Sequence, residues 1–193
     1  MQLVFEQGTF NKYRSFRLDE ARAPIPERYQ IQYKPTVFLS HKHDDLNDLR
    51  DVIGFLETTY DVKVYIDSQD STMPAVTSGE TASQIKQRIV KCQKFIFLAT
   101  NGAVESKWCN WELGYGDAQK FERDCIALFP IKPQGFSDYL YKGLEYLTIY
   151  PHIVYANGTE QYIDGRYIPA GYYVRTIKGT QSHLTDLHTW LHR

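Results

Sequence analysis

The chain has 193 residues, 23% of them charged, and a formal net charge of -1; it is long enough for one domain with an extension and a buried core. That balance excludes a global field for nucleic acid or for a membrane surface, and Lys and Arg are scattered without a basic block. No run approaches the ~18 apolar residues of a membrane span, and residues 1–10 carry Glu6 and Gln7 rather than a basic start and an apolar stretch, so no signal peptide is read there. Cys92, Cys109 and Cys125 stand far apart with no C-x-x-C pair, which argues for a reduced, cytoplasmic setting over a disulfide framework or a zinc knuckle. Aromatics make up 15%, with 15 Tyr and 10 Phe. That is ample flat stacking surface, most of it read as core and strand-edge tyrosine.

Residues 1–35 read as an N-terminal arm. Leu3-Val4-Phe5 and the stretch 13–18 fit either short strands or a helix, and Pro24 and Pro26 then interrupt the chain. From Thr36 the rhythm is regular. Thr36-Val37-Phe38-Leu39-Ser40 is an apolar run of the kind buried on both faces of a sheet. A polar loop, His41-Lys42-His43-Asp44-Asp45, comes next, with Asp44 as helix N-cap, and Leu46, Leu49, Ile53 and Leu56 recur at helical spacing. Val62 to Asp67 is a second strand, and residues 68–80 a long polar loop. Thr81 with Gln84 fits a capping box for a helix carrying Ile85 and Ile89. Phe95-Ile96-Phe97-Leu98-Ala99 is the third strand. Val104, Trp108, Trp111, Tyr115 and Ala118 mark one further helix, and residues 125–130 a fourth strand.

Such alternation predicts an α/β domain with a central parallel sheet and helices on both faces, binding its ligand beyond the carboxyl ends of the strands. Here that edge comprises residues 40–44, 67–80 and 100–108. Phe136, Leu140, Leu144 and Leu147 suggest another helix. Asn157-Gly158 and Asp164-Gly165 predict hairpins within 149–178, and Ser182 is read as the cap of a last helix with Leu184, Leu187 and Leu191 inward. The expected division is an arm at 1–35, a core at 36–148, and a hairpin and helix extension at 149–193 packed on it.

The familiar nucleotide motifs are absent: Ser40-His41-Lys42-His43 stands where a Gly-rich loop would come after the first strand. His41 and His43 have no further metal ligand that can be placed beside them, so a polar helix-capping loop is the better reading. His188 and His192, at i,i+4, suit a helix C-terminus better than a zinc ion. Cys109 has no assignable His partner. No metal and no cofactor are therefore expected.

One acid stands out. In Ser106-Lys107-Trp108-Cys109-Asn110-Trp111-Glu112, residues 108, 112 and 115 share a helical face, which sets the Glu112 carboxylate above the Trp108 indole near the ligand edge. Partial desolvation by indoles would raise its pKa, and a nearby cation would lower it. A carboxylate so placed suits an oxocarbenium-like sugar in the cleavage of an N-glycosidic bond. Ordinary glycosidases need a second acid for the leaving oxygen. Nicotinamide leaves NAD+ as a neutral base, so one carboxylate suffices, and Trp108 could hold the pyridinium ring by cation–π attraction. The residues alone leave this chemistry and a plain edge acid beside core tryptophans equally open.

Val37-Phe38-Leu39-Ser40 with its polar loop resembles the first box of TIR domains. Val64-Tyr65-Ile66-Asp67 and the loop after it are similar to that family's second strand and BB loop. Phe95 to Thr100, with Ser106-Lys107-Trp108-Cys109-x-x-Glu112, resembles its third strand and Ser-x-Trp-Cys-x-x-Glu helix. The resemblance spans about residues 36–131 and implies a flavodoxin-like TIR fold. In the family's NAD+-cleaving members the acid on that helix is catalytic, which implies Glu112, with Trp108 stacking the base and Ser40, His41 and Asp67 holding ribose or phosphate. The stand-alone form is similar to the bacterial TIR proteins of Thoeris antiphage defence. It implies NAD+ as substrate, a cyclic ADP-ribose-type signal to a separate effector, and self-association through the TIR domain, with no nucleic acid or membrane partner. The rival readings are a non-catalytic TIR interaction module and a nucleoside deoxyribosyltransferase-like enzyme, which also sets a Glu at an anomeric carbon.

Overall fold

The three central apolar runs fold side by side, and their alternating side chains divide the interior into two layers. A computed structural model describes residues 1–14, 34–67, 79–135 and 145–193. The central strands are β2 (Thr36–Ser40), β3 (Lys63–Tyr65), β4 (Lys94–Ala99) and β5 (Ile126–Lys132), and β6 (His152–Ala156) continues the sheet. They lie in the order β3-β2-β4-β5-β6, all pairs parallel. Residues of one parity, including Val37, Leu39, Ile96, Leu98 and Phe129, pack against α1 (Leu46–Tyr60) and α5 (Leu187–His192). Those of the other parity, Phe38, Phe95, Phe97, Ile126 and Leu128, pack against α2 (Gly79–Lys91), α3 (Asn101–Glu105) and α4 (Lys107–Lys120). Burial on both faces explains why these strands read as continuous apolar runs.

The strand order reverses at β2, which has β3 on one side and β4 on the other. In an open α/β sheet the crevice beyond the carboxyl ends at such a reversal is the ligand position. It is bounded here by Ser40 and Thr100.

Two additions extend the sheet. In the arm, β1 (Phe5–Glu6) pairs parallel with Ile131 and Lys132 of β5, and Gln2 exchanges backbone hydrogen bonds with Tyr155 of β6 at 2.8 and 3.0 Å. Since β5 and β6 pair only at Leu128 and His152, the arm fills the gap where the two strands splay. It is anchored by Phe5 and Phe10, whose rings meet Phe129, Phe55 and Tyr172 at centroid distances of 4.7–6.0 Å. Beyond β6 the sheet turns antiparallel through β7 (Gly171–Lys178) and β8 (Gln181–Asp186). Tyr155 and Tyr172 of this region join the aromatic cluster.

Several local expectations are corrected. Ser182 sits inside β8, paired with Ile177, and the last helix opens at Leu187 with Asp186 accepting from the Thr189 backbone N–H at 3.0 Å. A strand partner, invisible to local pattern, displaced the cap by four residues. Asp45, not Asp44, precedes α1. Thr81 lies buried inside α2 rather than capping it. The single helix expected over residues 104–118 is two, because Ser106 leaves helical geometry at φ -74 and ψ 120 and caps the second. Of the expected helix at 136–147, only a 3-10 turn, Glu145–Ile149, falls among the described residues. The stretch 15–18 and the loop 68–78 lie outside them.

Candidate functional site

The break at Ser106 aims Glu112. Thr100 caps α3, accepting from the Ala103 N–H at 3.0 Å, and donates its own hydroxyl to Asp45. Ser106 then accepts from the Cys109 N–H at 3.3 Å, and Asn110 Nδ2 donates to the carbonyls of Val104 and Ser106, 2.8 Å each. These bonds fix the turn between α3 and α4, so that Glu112 arrives in the second turn of α4. Farther along, Gly116 lets α4 lie on β4: a Cβ there would stand 2.9 Å from the Phe95 ring. The helix is thereby pressed against the sheet, with Glu112 one turn nearer the crevice.

Glu112 is 2% exposed. Ser40 Oγ donates to its Oε2 at 2.5 Å, whereas Oε1 is buried without a hydrogen-bond partner. Burial raises the Glu112 carboxyl to about 8, and the Asp67 charge pushes the same way; the donors on Ser40 and Trp108 oppose them only in part. The raised pKa favours the protonated acid in the free protein, with Oε2 engaged by Ser40 and Oε1 without a hydrogen-bond partner. An unsatisfied buried oxygen of this kind is destabilising, and a bound ligand can relieve it.

The loop after β2 supplies the second wall. His41 is buried and its pKa is lowered, chiefly by desolvation. Its Nδ1 lies 3.3 Å from the Leu39 carbonyl and 3.9 Å from Asp67 Oδ1. Both neighbours are acceptors, so Nδ1 carries the proton of the neutral ring. Cys109 Sγ donates to the His41 carbonyl at 3.2 Å, tying this loop to α4. Asp67 lies beyond β3 and keeps 27% of its side chain exposed, more than His41 at 2%. Trp108 leans on Trp111, ring centroids 4.9 Å apart and planes at 31°. Trp111 in turn stacks toward Tyr115, 6.5 Å away, with Lys86 above both rings. The five residues singled out in the sequence, Ser40, His41, Asp67, Trp108 and Glu112, stand together at the crevice.

Chemically the arrangement offers a buried carboxyl with one open oxygen, an aromatic wall and a second, accessible carboxylate. Cys109 and Gly116 escaped the sequence reading as site residues. A thiol holding a loop carbonyl and a glycine set by a facing ring leave no local pattern, although Gly116 falls one turn beyond the acid it positions. Outside the crevice, His188 and His192 stack at 4.3 Å, and His192 Nε2 lies 2.7 Å from the Tyr60 carbonyl. His192 thus serves the C-terminus of α1, with the His188 ring stacked on it.

The TIR domain family model matches residues 37–166. A protein of Bacillus cereus (strain MSX-D12) named "Probable 3' cyclic ADP-D-ribose synthase ThsB'" is 31% identical over 125 residues, which cover 64% of this chain and 61% of the relative. The chain thus spans about three fifths of the length of the relative it matches.

Proposed function

The chain belongs to the TIR domain family, and on that premise we propose that it cleaves the nicotinamide–ribose bond of NAD+ and closes the released ADP-ribosyl unit into a cyclic ADP-ribose-type signal. The observation that carries this reading is the state of Glu112: nearly fully buried, held by Ser40 through one oxygen, the other without a partner. The name of the Bacillus cereus relative, a cyclic ADP-ribose synthase, supports the choice of substrate and product.

The chemistry is dictated by charge. NAD+ brings a cationic pyridinium, and its approach lowers the Glu112 pKa from about 8, so that substrate binding expels the proton. The carboxylate then faces C1′ of the ribose as positive charge develops there, in a site too dry for water to screen the attraction. Nicotinamide takes the bonding electrons and leaves neutral, so no acid is required. Trp108 stacks against the ring before departure, and Ser40 fixes the carboxylate through Oε2. Ser40, His41 and Asp67 hold ribose or phosphate. In this reading the product diffuses to a separate effector in antiphage defence, the protein associates with itself through the TIR domain, and it works in the cytoplasm. Among the described residues no helix is long and apolar enough to cross a membrane.

The test is incubation with NAD+, alone and with extract of infected cells, following free nicotinamide and resolving the products by mass spectrometry. Release of nicotinamide with a cyclic product, lost in Glu112→Gln, is expected. No release under any condition, or equal release by the variant, would leave a TIR interaction module; consumption of nucleosides in place of NAD+ would indicate deoxyribosyl transfer.

A further inference from the structure

Cleavage is only half of a cyclisation. When nicotinamide leaves, no proton moves. When a hydroxyl then bonds to C1′, its proton must go to an acceptor. Glu112 cannot conveniently be that acceptor if it stabilises the cation, because it occupies one face of the sugar. The nucleophile enters from the face that nicotinamide has vacated. Resting on the NAD+-cleaving reading above, we propose that Asp67 is the general base that accepts the proton of the attacking hydroxyl, and that His41 is the positioning residue that orients its carboxylate.

Three observations carry the assignment. Asp67 is close enough to Glu112 for its charge to act on that carboxyl, and both stand beyond the carboxyl ends of neighbouring strands, where one ligand can meet the two. It retains 27% side-chain exposure where His41 has 2% and Glu112 is buried, which makes it the carboxylate that an incoming hydroxyl can reach. Its Oδ1 faces the protonated Nδ1 of His41 at 3.9 Å, and the His41 ring is itself held by the Leu39 carbonyl while its backbone is held by Cys109. A neutral imidazole at that distance makes no hydrogen bond to the carboxylate, but its ring forms a buried wall beside Asp67 and leaves the carboxylate charged. That is the arrangement a base needs while it waits for a substrate.

The step balances. The C1′–N bond breaks with its electron pair going to the nicotinamide nitrogen. The hydroxyl oxygen gives a lone pair to C1′, its O–H electrons stay on oxygen, and the proton passes to Asp67 and then to solvent. No oxidant or further reactant enters. An internal ribose hydroxyl gives the cyclic product and water the linear one, with the same base serving both.

The experiment compares wild type, Asp67→Asn, His41→Gln and Glu112→Gln in nicotinamide release and product composition, with and without azide. Azide is an anionic nucleophile that has no proton to lose. Asp67→Asn is expected to slow turnover about a hundredfold, the usual size of a general-base contribution, and azide is expected to restore it while yielding azido-ADP-ribose. Glu112→Gln stays inactive with azide, since its defect precedes attack. His41→Gln is expected to lower kcat about tenfold, within the span of a mispositioned catalytic group, by more than it raises KM, and with partial azide rescue. Wild-type turnover by Asp67→Asn, or its loss without azide rescue while circular dichroism shows a folded protein, overturns the assignment. Failure of the wild type to release nicotinamide overturns instead the reading on which it rests.

Discussion

The two ends of the parallel sheet both bury ionisable side chains, and they treat them in opposite ways. At the amino-terminal ends of the strands, Lys94 and Lys120 are almost fully buried. The Lys120 ammonium donates to the carbonyls of Cys92 at 2.5 Å and Val90 at 3.2 Å, closing the end of α2. Lys94 lies 3.4 Å from Cys125 Sγ and 4.8 Å above the Trp190 ring. Burial lowers both pKa values, but each ammonium has a partner. At the carboxyl-terminal ends, Glu112 is just as buried and keeps one oxygen unsatisfied. Satisfied buried ions knit α4 to the end of α2 and β4 to α5; the unsatisfied acid costs stability that a bound ligand can restore. Strain of this kind, at the point where the strand order reverses, marks function more clearly than burial does.

Four variants would break or sharpen that contrast. The largest effect is that of Glu112→Gln, which is expected to lose at least about a thousandfold in nicotinamide release, as for other groups that stabilise transition-state charge. The same variant is expected to be more stable than wild type at alkaline pH. An unfolded glutamate ionises near 4.5, and the folded one near 8. Between those values the unfolded chain has lost a proton that the folded protein keeps, so wild-type stability falls as pH rises, by at most about 1.4 kcal/mol per pH unit, and levels off above pH 8. Urea titrations of both proteins should therefore coincide near pH 4 and diverge toward pH 8.5. A constant difference across that range would contradict the buried, protonated acid.

Lys120→Ala makes the converse case. It is expected to destabilise by about 2 kcal/mol, because the buried Cys92 carbonyl and the part-buried Val90 carbonyl lose their donor, while nicotinamide release per folded molecule is unchanged. Activity falling faster than the folded fraction would mean that the two ends are not separable. Gly116→Ala lies between them. The added methyl meets the Phe95 ring at 2.9 Å, which is expected to cost about 1–3 kcal/mol as overpacking and, by lifting α4, to lower kcat with it. An active variant with wild-type kcat would show that the helix yields without moving Glu112. The smallest effect is that of Ser40→Ala. Loss of its hydrogen bond raises the Glu112 pKa further, since that bond favours the ionised form. The rise of kcat/KM with pH is then expected to shift by less than one unit toward alkaline values, and an acid-ward shift would reverse the role given to Ser40.

Legibility of the fold varied with where its cause lies. The runs at Thr36–Ser40, Lys94–Ala99 and Ile126–Lys132 were readable because burial on two faces demands continuous apolar sequence. The helix carrying Glu112 was readable in its address but not in its start, since the Ser106 break depends on Thr100 capping α3 at the Ala103 N–H and on Asn110 reaching back to the carbonyls of Val104 and Ser106. The arm was undecidable: Phe5 and Phe10 carry no period of their own, and their place comes from the splay of β5 and β6. Ser182 read as a cap because a local pattern cannot show that Ile177 will pair with it.

The sequence by itself determined the alternation of the central strands and helices and named five residues, Ser40, His41, Asp67, Trp108 and Glu112, that the fold brings to one edge of the sheet. Tertiary structure alone decided their states. Ser40 and Glu112 are 72 positions apart, and only the close seat of α4 on β4 brings hydroxyl and carboxylate to 2.5 Å. The exposure of Asp67 beside a buried His41, and the oxygen of Glu112 left without a partner, are likewise products of packing. Periodicity and capping are short-range and are written in neighbouring residues, whereas desolvation and pairing depend on which distant elements come to lie against one another.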